Sequence, residues 1–177
     1  MHKKWTTGGR RRTVIVFAAI VSVVVGVTVT AAAANAQDGV YFNIRNDVSG
    51  RCVAPAGLSH TAGQVMAQMD CGTAAIREWL PVDLHNGYYL VQNRGSGLCL
   101  HIGSSLPETP IDQVPCVFEA NQEWQFGEAD EAGEHLVLVS AIGNSCLALQ
   151  GVYSGRVNWP IVIHDCATTS GQFWRFV

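Results

Sequence analysis

Residues 99–124, CLHIGSSLPETPIDQVPCVFEANQEW, hold a pair of cysteines, Cys99 and Cys116, followed after seven intervening residues by Trp124. The same unit stands on either side: Cys52…Cys71 with Trp79, and Cys146…Cys166 with Trp174, again with seven residues between. First cysteines recur 47 residues apart in both steps, and the tryptophans 45 and 50 apart. The three units use all six cysteines and three of the five tryptophans, so one supersecondary unit is used three times.

Aligned on the first cysteine, the repeats share a pattern. Phe42, Tyr89 and Leu136 stand ten residues before it, Ile44, Val91 and Leu138 eight before, and Val53, Leu100 and Leu147 one after. Asn46, Asn93 and Ser140 precede a turn at Gly50, Gly97 and Asn144. Apolar residues two apart mark strands with one buried face, and the Asn/Gly segments mark hairpins. A third strand is expected before the second cysteine (Val65–Gln68, Ile111–Val114, Ile161–Ile163) and a fourth at the tryptophan (Trp79–Val82, Trp124–Phe126, Trp174–Phe176). No segment has a convincing helical period. Twelve short strands in three repeats of about 45 residues (roughly 40–87, 88–133 and 134–177) point to a closed all-β fold that hides its sheet edges.

The first 36 residues read as a signal peptide. Lys3, Lys4, Arg10, Arg11 and Arg12 form a positive start, Val14–Val29 is almost wholly apolar, and Ala34-Asn35-Ala36 is an A-x-A cleavage site. The apolar run approaches spanning length, so an uncleaved anchor is the alternative, which the small residues after Val29 disfavour. Arg11-Arg12 leaves both the ordinary secretory and the twin-arginine route open.

Residues 37–177 would then form one domain of 141 residues with six Arg, no Lys and fourteen Asp plus Glu, a net charge of −8. That balance argues against nucleic acid, whose phosphates need clustered cations, and against an anionic membrane after signal removal. Six cysteines in an exported chain suggest three disulfides, and the repeat favours pairing within units: Cys52–Cys71, Cys99–Cys116 and Cys146–Cys166. Each closes a loop of about twenty residues, worth roughly 3 kcal/mol in the chain-entropy picture. The protein is expected to be secreted, extracellular and monomeric.

The pattern Cys-[Val/Leu]…Gln-x-x-Cys…Gln-x-Trp resembles the ricin B-type lectin β-trefoil, also found as a carbohydrate-binding module. It is carried by Ser49–Val53 with Gln68–Cys71, by Ser96–Leu100 with Gln113–Cys116 and Asn121–Trp124, and by Asn144–Leu147 with Gly171–Trp174. The resemblance implies a single β-trefoil with one disulfide per repeat, core tryptophans Trp79, Trp124 and Trp174, and structural glutamines Gln122 and Gln172. Arg77 stands where the first repeat should have its Gln.

A sugar site of this family uses a carboxylate two residues after the first cysteine, an aromatic two before the second, and an Asn just before Gln-x-Trp. A pyranose offers one C–H face and several hydroxyls, so it wants an aromatic platform beside a charged acceptor. Here the carboxylate position holds Ala54, His101 and Ala148, the aromatic position Met69, Val114 and His164, and the amide position Ile76, Asn121 and Gly171. No repeat has the full set.

Two functions remain open. One is glycan or polysaccharide binding through a modified site, either His101, Asp112 and Asn121 in the second repeat or His164, Tyr153 and Trp159 in the third. Against it, His101 and Asn121 can be solvated residues on a retained scaffold, and Trp159 can be packing under a loop. The other is a secreted module that binds an extracellular protein through its unlike loops and has lost sugar binding. An enzyme is not expected: H-E-x-x-H, G-x-S-x-G and phosphate-cradling glycine loops are missing, and the carboxylates from Glu128 to Glu134 read as a connecting loop. No cofactor or metal is expected, because a disulfide at Cys166 removes the thiolate from His164-Asp165-Cys166.

Overall fold

The computed structural model describes residues 39–128, 135–151, 155–167 and 169–177. The expected signal peptide, Tyr153 and most of the acidic 128–134 stretch lie outside the described residues. Twelve strands are formed among those described: β1 Ile44–Asn46, β2 Cys52–Pro55, β3 Gln64–Met69, β4 Trp79–Asp83, β5 Tyr89–Asn93 and β6 Cys99–Ile102, then β7 Ile111–Val114, β8 Trp124–Glu128, β9 Leu136–Ser140, β10 Ser145–Leu149, β11 Trp159–Asp165 and β12 Trp174–Phe176. The strand at the third repeat's second cysteine is longer than expected, because β11 pairs with β10 over five residues and adds Trp159 and Pro160 to β3.

Six strands close a barrel. β1 pairs with β12, β12 with β9, β9 with β8, β8 with β5 and β5 with β4, and the Phe42↔Trp79 bridge returns β4 to the chain just before β1. The other six form three hairpins, β2–β3, β6–β7 and β10–β11, one from each repeat. These hairpins interlock through β3–β7, β11–β3 and the Pro110↔Val162 bridge, capping one end of the barrel. The architecture is a β-trefoil.

The repeated residues hold cap to barrel. Trp79, Trp124 and Trp174 are fully buried, and each indole Nε1 donates to a cap carbonyl one residue past the first cysteine: Val53 at 2.8 Å, Leu100 at 3.3 Å and Leu147 at 3.0 Å. Burial of an indole needs this, since an unpaired N–H in the core is costly. Phe42, Phe176, Phe126 and Tyr89 pack in a row, with centroids 5.3, 5.2 and 4.8 Å apart, the middle pair edge to face. The disulfides pair as expected within each repeat, with Cα–Cα distances of 5.0, 5.0 and 4.9 Å.

Gln122 and Gln172 clamp the loop after the second cysteine. Their Oε1 atoms accept from Val117 N and Ala167 N, both at 2.7 Å, and their Nε2 atoms donate to the Pro115 and Asp165 carbonyls. The first repeat solves the problem differently. Gly72 N donates to Asn43 Oδ1 at 3.2 Å, and the Arg77 guanidinium occupies the space beside it, 2.9 Å from where a Cβ on Gly72 would lie.

Candidate functional site

The outer faces of the three cap hairpins are equivalent positions, and the chain treats each differently. Cross-strand pairing sets Ala54 opposite Ala67, His101 opposite Asp112 and Ala148 opposite Val162. Directly opposed residues share a face of the sheet, so these pairs decide what each hairpin offers to solvent.

The first hairpin is filled. Ala54, Ala67 and Met69 form a small buried cluster, over which Ala56 and Leu58 pack. Met69, at the expected aromatic position, is spent inside this cluster.

The second hairpin is polar. His101 Nδ1 lies 2.6 Å from Asp112 Oδ1, and Asn121 Nδ2 lies 3.0 Å from His101 Nε2. With the amide donating, Nε2 accepts, and the ring proton on Nδ1 is donated to the carboxylate. Each ring nitrogen thus has a partner, which fixes the imidazole plane and tautomer. Both side chains keep a window to solvent, 18% for His101 and 25% for Asp112. Asn121 sits in the 3₁₀ turn Ala120–Gln122, held in place because the next residue, Gln122, is the buried clamp. Asn121 Oδ1 is shut away from solvent and has no hydrogen-bond partner among the described residues. His101, Asp112 and Asn121 come from three elements and meet at one point.

Phe118, which the sequence reading passed over, belongs to the loop that carries Asn121 and is 78% exposed. The repeat alignment held a signal: two residues past the second cysteine the first repeat has Thr73 and the second Phe118. Val117 beside it is also exposed. Phe118 and Val117 thus put two adjacent apolar side chains in solvent on the loop that leads to Asn121.

The third hairpin opens into a cleft of about 330 Å³, whose lining includes His164, Asp165, Ala148, Gly171 and Glu108. Trp159 does not join His164 there. The two are five residues apart on β11, an odd separation that sends them to opposite faces. The Trp159 indole donates to the Gln150 carbonyl at 2.9 Å, so its polar edge is already used. Among the described residues no group of three or more His, Cys, Asp or Glu side chains is arranged to hold a metal ion.

Similarity to known proteins agrees with the β-trefoil fold. The sequence model of the ricin-type beta-trefoil lectin domain matches residues 87–177, and that of the ricin-type beta-trefoil lectin domain-like group matches residues 27–114. No curated protein matches significantly. Among solved structures, a designed threefold symmetric protein, ThreeFoil, superposes with a TM-score of 0.73 at 22% identity, covering 77% of this chain and 97% of that one. The Macrolepiota procera ricin B-like lectin, solved in complex with lactose, gives 0.67 at 18% identity, covering 78% and 94%. An exo-beta-1,3-galactanase from Clostridium thermocellum gives 0.74 at 20% identity over 80% of this chain, which spans only 30% of that enzyme. At these identities the structures speak to the fold, and the sequence match to lineage: the chain belongs to the ricin-type β-trefoil lectin domain family.

Proposed function

We propose that the protein is an exported, extracellular glycan-binding module whose binding site is the His101–Asp112–Asn121 cluster of the second repeat. The observation that carries the reading is the doubly hydrogen-bonded His101 ring at the position where lectin repeats place their carboxylate. Asp112 keeps its second oxygen for a ligand, and a carboxylate accepting from hydroxyls makes the stronger class of hydrogen bond. The carboxylate thus reaches the site from the facing strand, with His101 as the group that orients it. Phe118 supplies an exposed aromatic face for the C–H side of a sugar ring, taking over from Val114 at the usual aromatic position.

The role is binding rather than catalysis. Isothermal titration calorimetry of the folded protein with galactose, xylose, arabinose and their polymers tests this, and at least one should give a saturable heat. Flat traces throughout, with an extracellular protein recovered on the same face, would favour the protein-binding alternative.

A further inference from the structure

His101 brings to the second-repeat cluster a side chain whose hydrogen bonding changes with a proton. As a neutral ring it donates from Nδ1 to Asp112 Oδ1 at 2.6 Å and accepts at Nε2 from Asn121 Nδ2 at 3.0 Å. A charged ring donates from both nitrogens and accepts at neither. The atom facing Nε2 must then be an oxygen, because two N–H groups pointed at each other make no hydrogen bond.

Asn121 holds that oxygen in reserve. Its backbone is fixed in the 3₁₀ turn Ala120–Gln122 by the Gln122 clamp, and His101 is fixed on β6 by pairing with β7. Neither residue is free to retreat, so the pair answers a proton by rotation of the Asn121 amide about its own bond. That rotation brings Oδ1 to Nε2 and turns Nδ2 away. Oδ1 is the unspent end of the amide, buried and without a hydrogen-bond partner among the described residues. The rotation therefore breaks no bond to Oδ1 and gives it a charge-assisted one.

The surroundings are acidic. β6 packs against β5, β7 and the 3₁₀ turn. The charged or titratable side chains on those elements are Asp112 on β7 and Tyr89 on β5, with Glu119 and Glu123 flanking the turn. Tyr89 is packed on Phe126 in the aromatic row, and Glu119 is exposed. None of these elements carries a lysine or arginine. The other two repeats lack the device, with Ala54 and Ile76 or Ala148 and Gly171 at the same positions.

We infer that His101 and Asn121 form a proton-operated switch that closes the second-repeat site in acid. With the ring neutral, Asn121 keeps its second N–H for a ligand hydroxyl, and Asp112 serves the ligand as a carboxylate beside an uncharged ring. With the ring charged, the amide N–H pair is withdrawn and the imidazolium engages the carboxylate. By linkage, a glycan that prefers the neutral ring favours that form in return. The inference rests on the second-repeat site binding glycan.

Two arms test it, both run between about pH 5 and 8. In the first, NMR of the ligand-free protein follows the His101 ring nitrogens and the Asn121 side-chain amide. The expected result is that the Asn121 Nδ2 protons lose their cross-peaks to the ring as His101 takes up its proton. In the second, retention on immobilised galactan, xylan and arabinan should weaken about tenfold toward the acid end, and stay level in His101→Gln, which has no proton to gain. An Asn121 amide that stays in place while His101 titrates would overturn the inference. So would retention that is level in the parent, or as pH-dependent in His101→Gln as in the parent. An amide that turns in a protein retained on none of the polymers supports the switch and counts against the glycan reading alone.

Discussion

His101 and Asp112 face each other across β6 and β7 with ring nitrogen and carboxylate 2.6 Å apart, where the other two hairpins set Ala against Ala and Ala against Val. The same scaffold position is therefore stable without any polar pair. Replacing a partly buried, hydrogen-bonded polar pair with apolar residues of similar shape can be nearly neutral or stabilising. The double variant His101→Ala, Asp112→Val should keep its stability within about 1 kcal/mol of the parent while losing glycan binding. Thermal unfolding and calorimetry on one sample check both halves, and unfolding of the variant would show that the pair is structural.

Asp112→Asn keeps the shape of the cluster and removes its charge. Affinity for the glycan should fall about tenfold, since charge-assisted hydrogen bonds are roughly twice as strong as neutral ones. Unchanged affinity would move the acceptor role elsewhere.

Phe118→Ala removes an exposed ring. Stability should change by no more than about 0.5 kcal/mol, as for other surface substitutions, while affinity falls several-fold through loss of the stacking face. A fall in stability with affinity preserved would assign Phe118 to packing.

Gln122→Ala strips the buried clamp from Val117 N and Pro115 O, two part-buried bonds that hold an otherwise exposed turn. The expected loss is about 1–3 kcal/mol, from two backbone hydrogen bonds removed and a cavity left at the buried glutamine. Chemical denaturation measures it directly, and a loss below 1 kcal/mol would mean water takes the glutamine's place.

Two glycines should behave oppositely. A Cβ on Gly95 would lie 2.7 Å from Ile76 N and 2.8 Å from Ile76 Cα, so Gly95→Ala should cost about 1–3 kcal/mol. Gly171→Ala, with its nearest contact at 3.9 Å, should leave stability within about 0.5 kcal/mol. Equal effects in thermal unfolding would contradict the packing described.

The trefoil was legible because its determinants repeat. Three tryptophans, three cysteine pairs and the β-period apolar residues recur in phase, and each does the same job three times in the structure. The candidate site was half legible. His101, Asp112 and Asn121 are nominated by their positions in the repeat, and they meet because cross-strand register and the Gln122 clamp bring them together. Other features depend on contacts that no local pattern encodes. The first hairpin closes because Leu58, at φ +57°, folds over Ala54 and Met69. Glu108 reaches His164 across 56 positions of chain, through loop-to-strand bonds between repeats. The expected grouping of Trp159 with His164 failed on strand parity, an odd spacing on a strand longer than expected.

The most direct measurement is a glycan array run with the protein and its His101→Ala, Asn121→Ala variant side by side. Binding to one glycan class by the parent, lost in the folded variant, is the predicted result. A folded parent that binds nothing, or a variant that binds as the parent does, would contradict the second-repeat site.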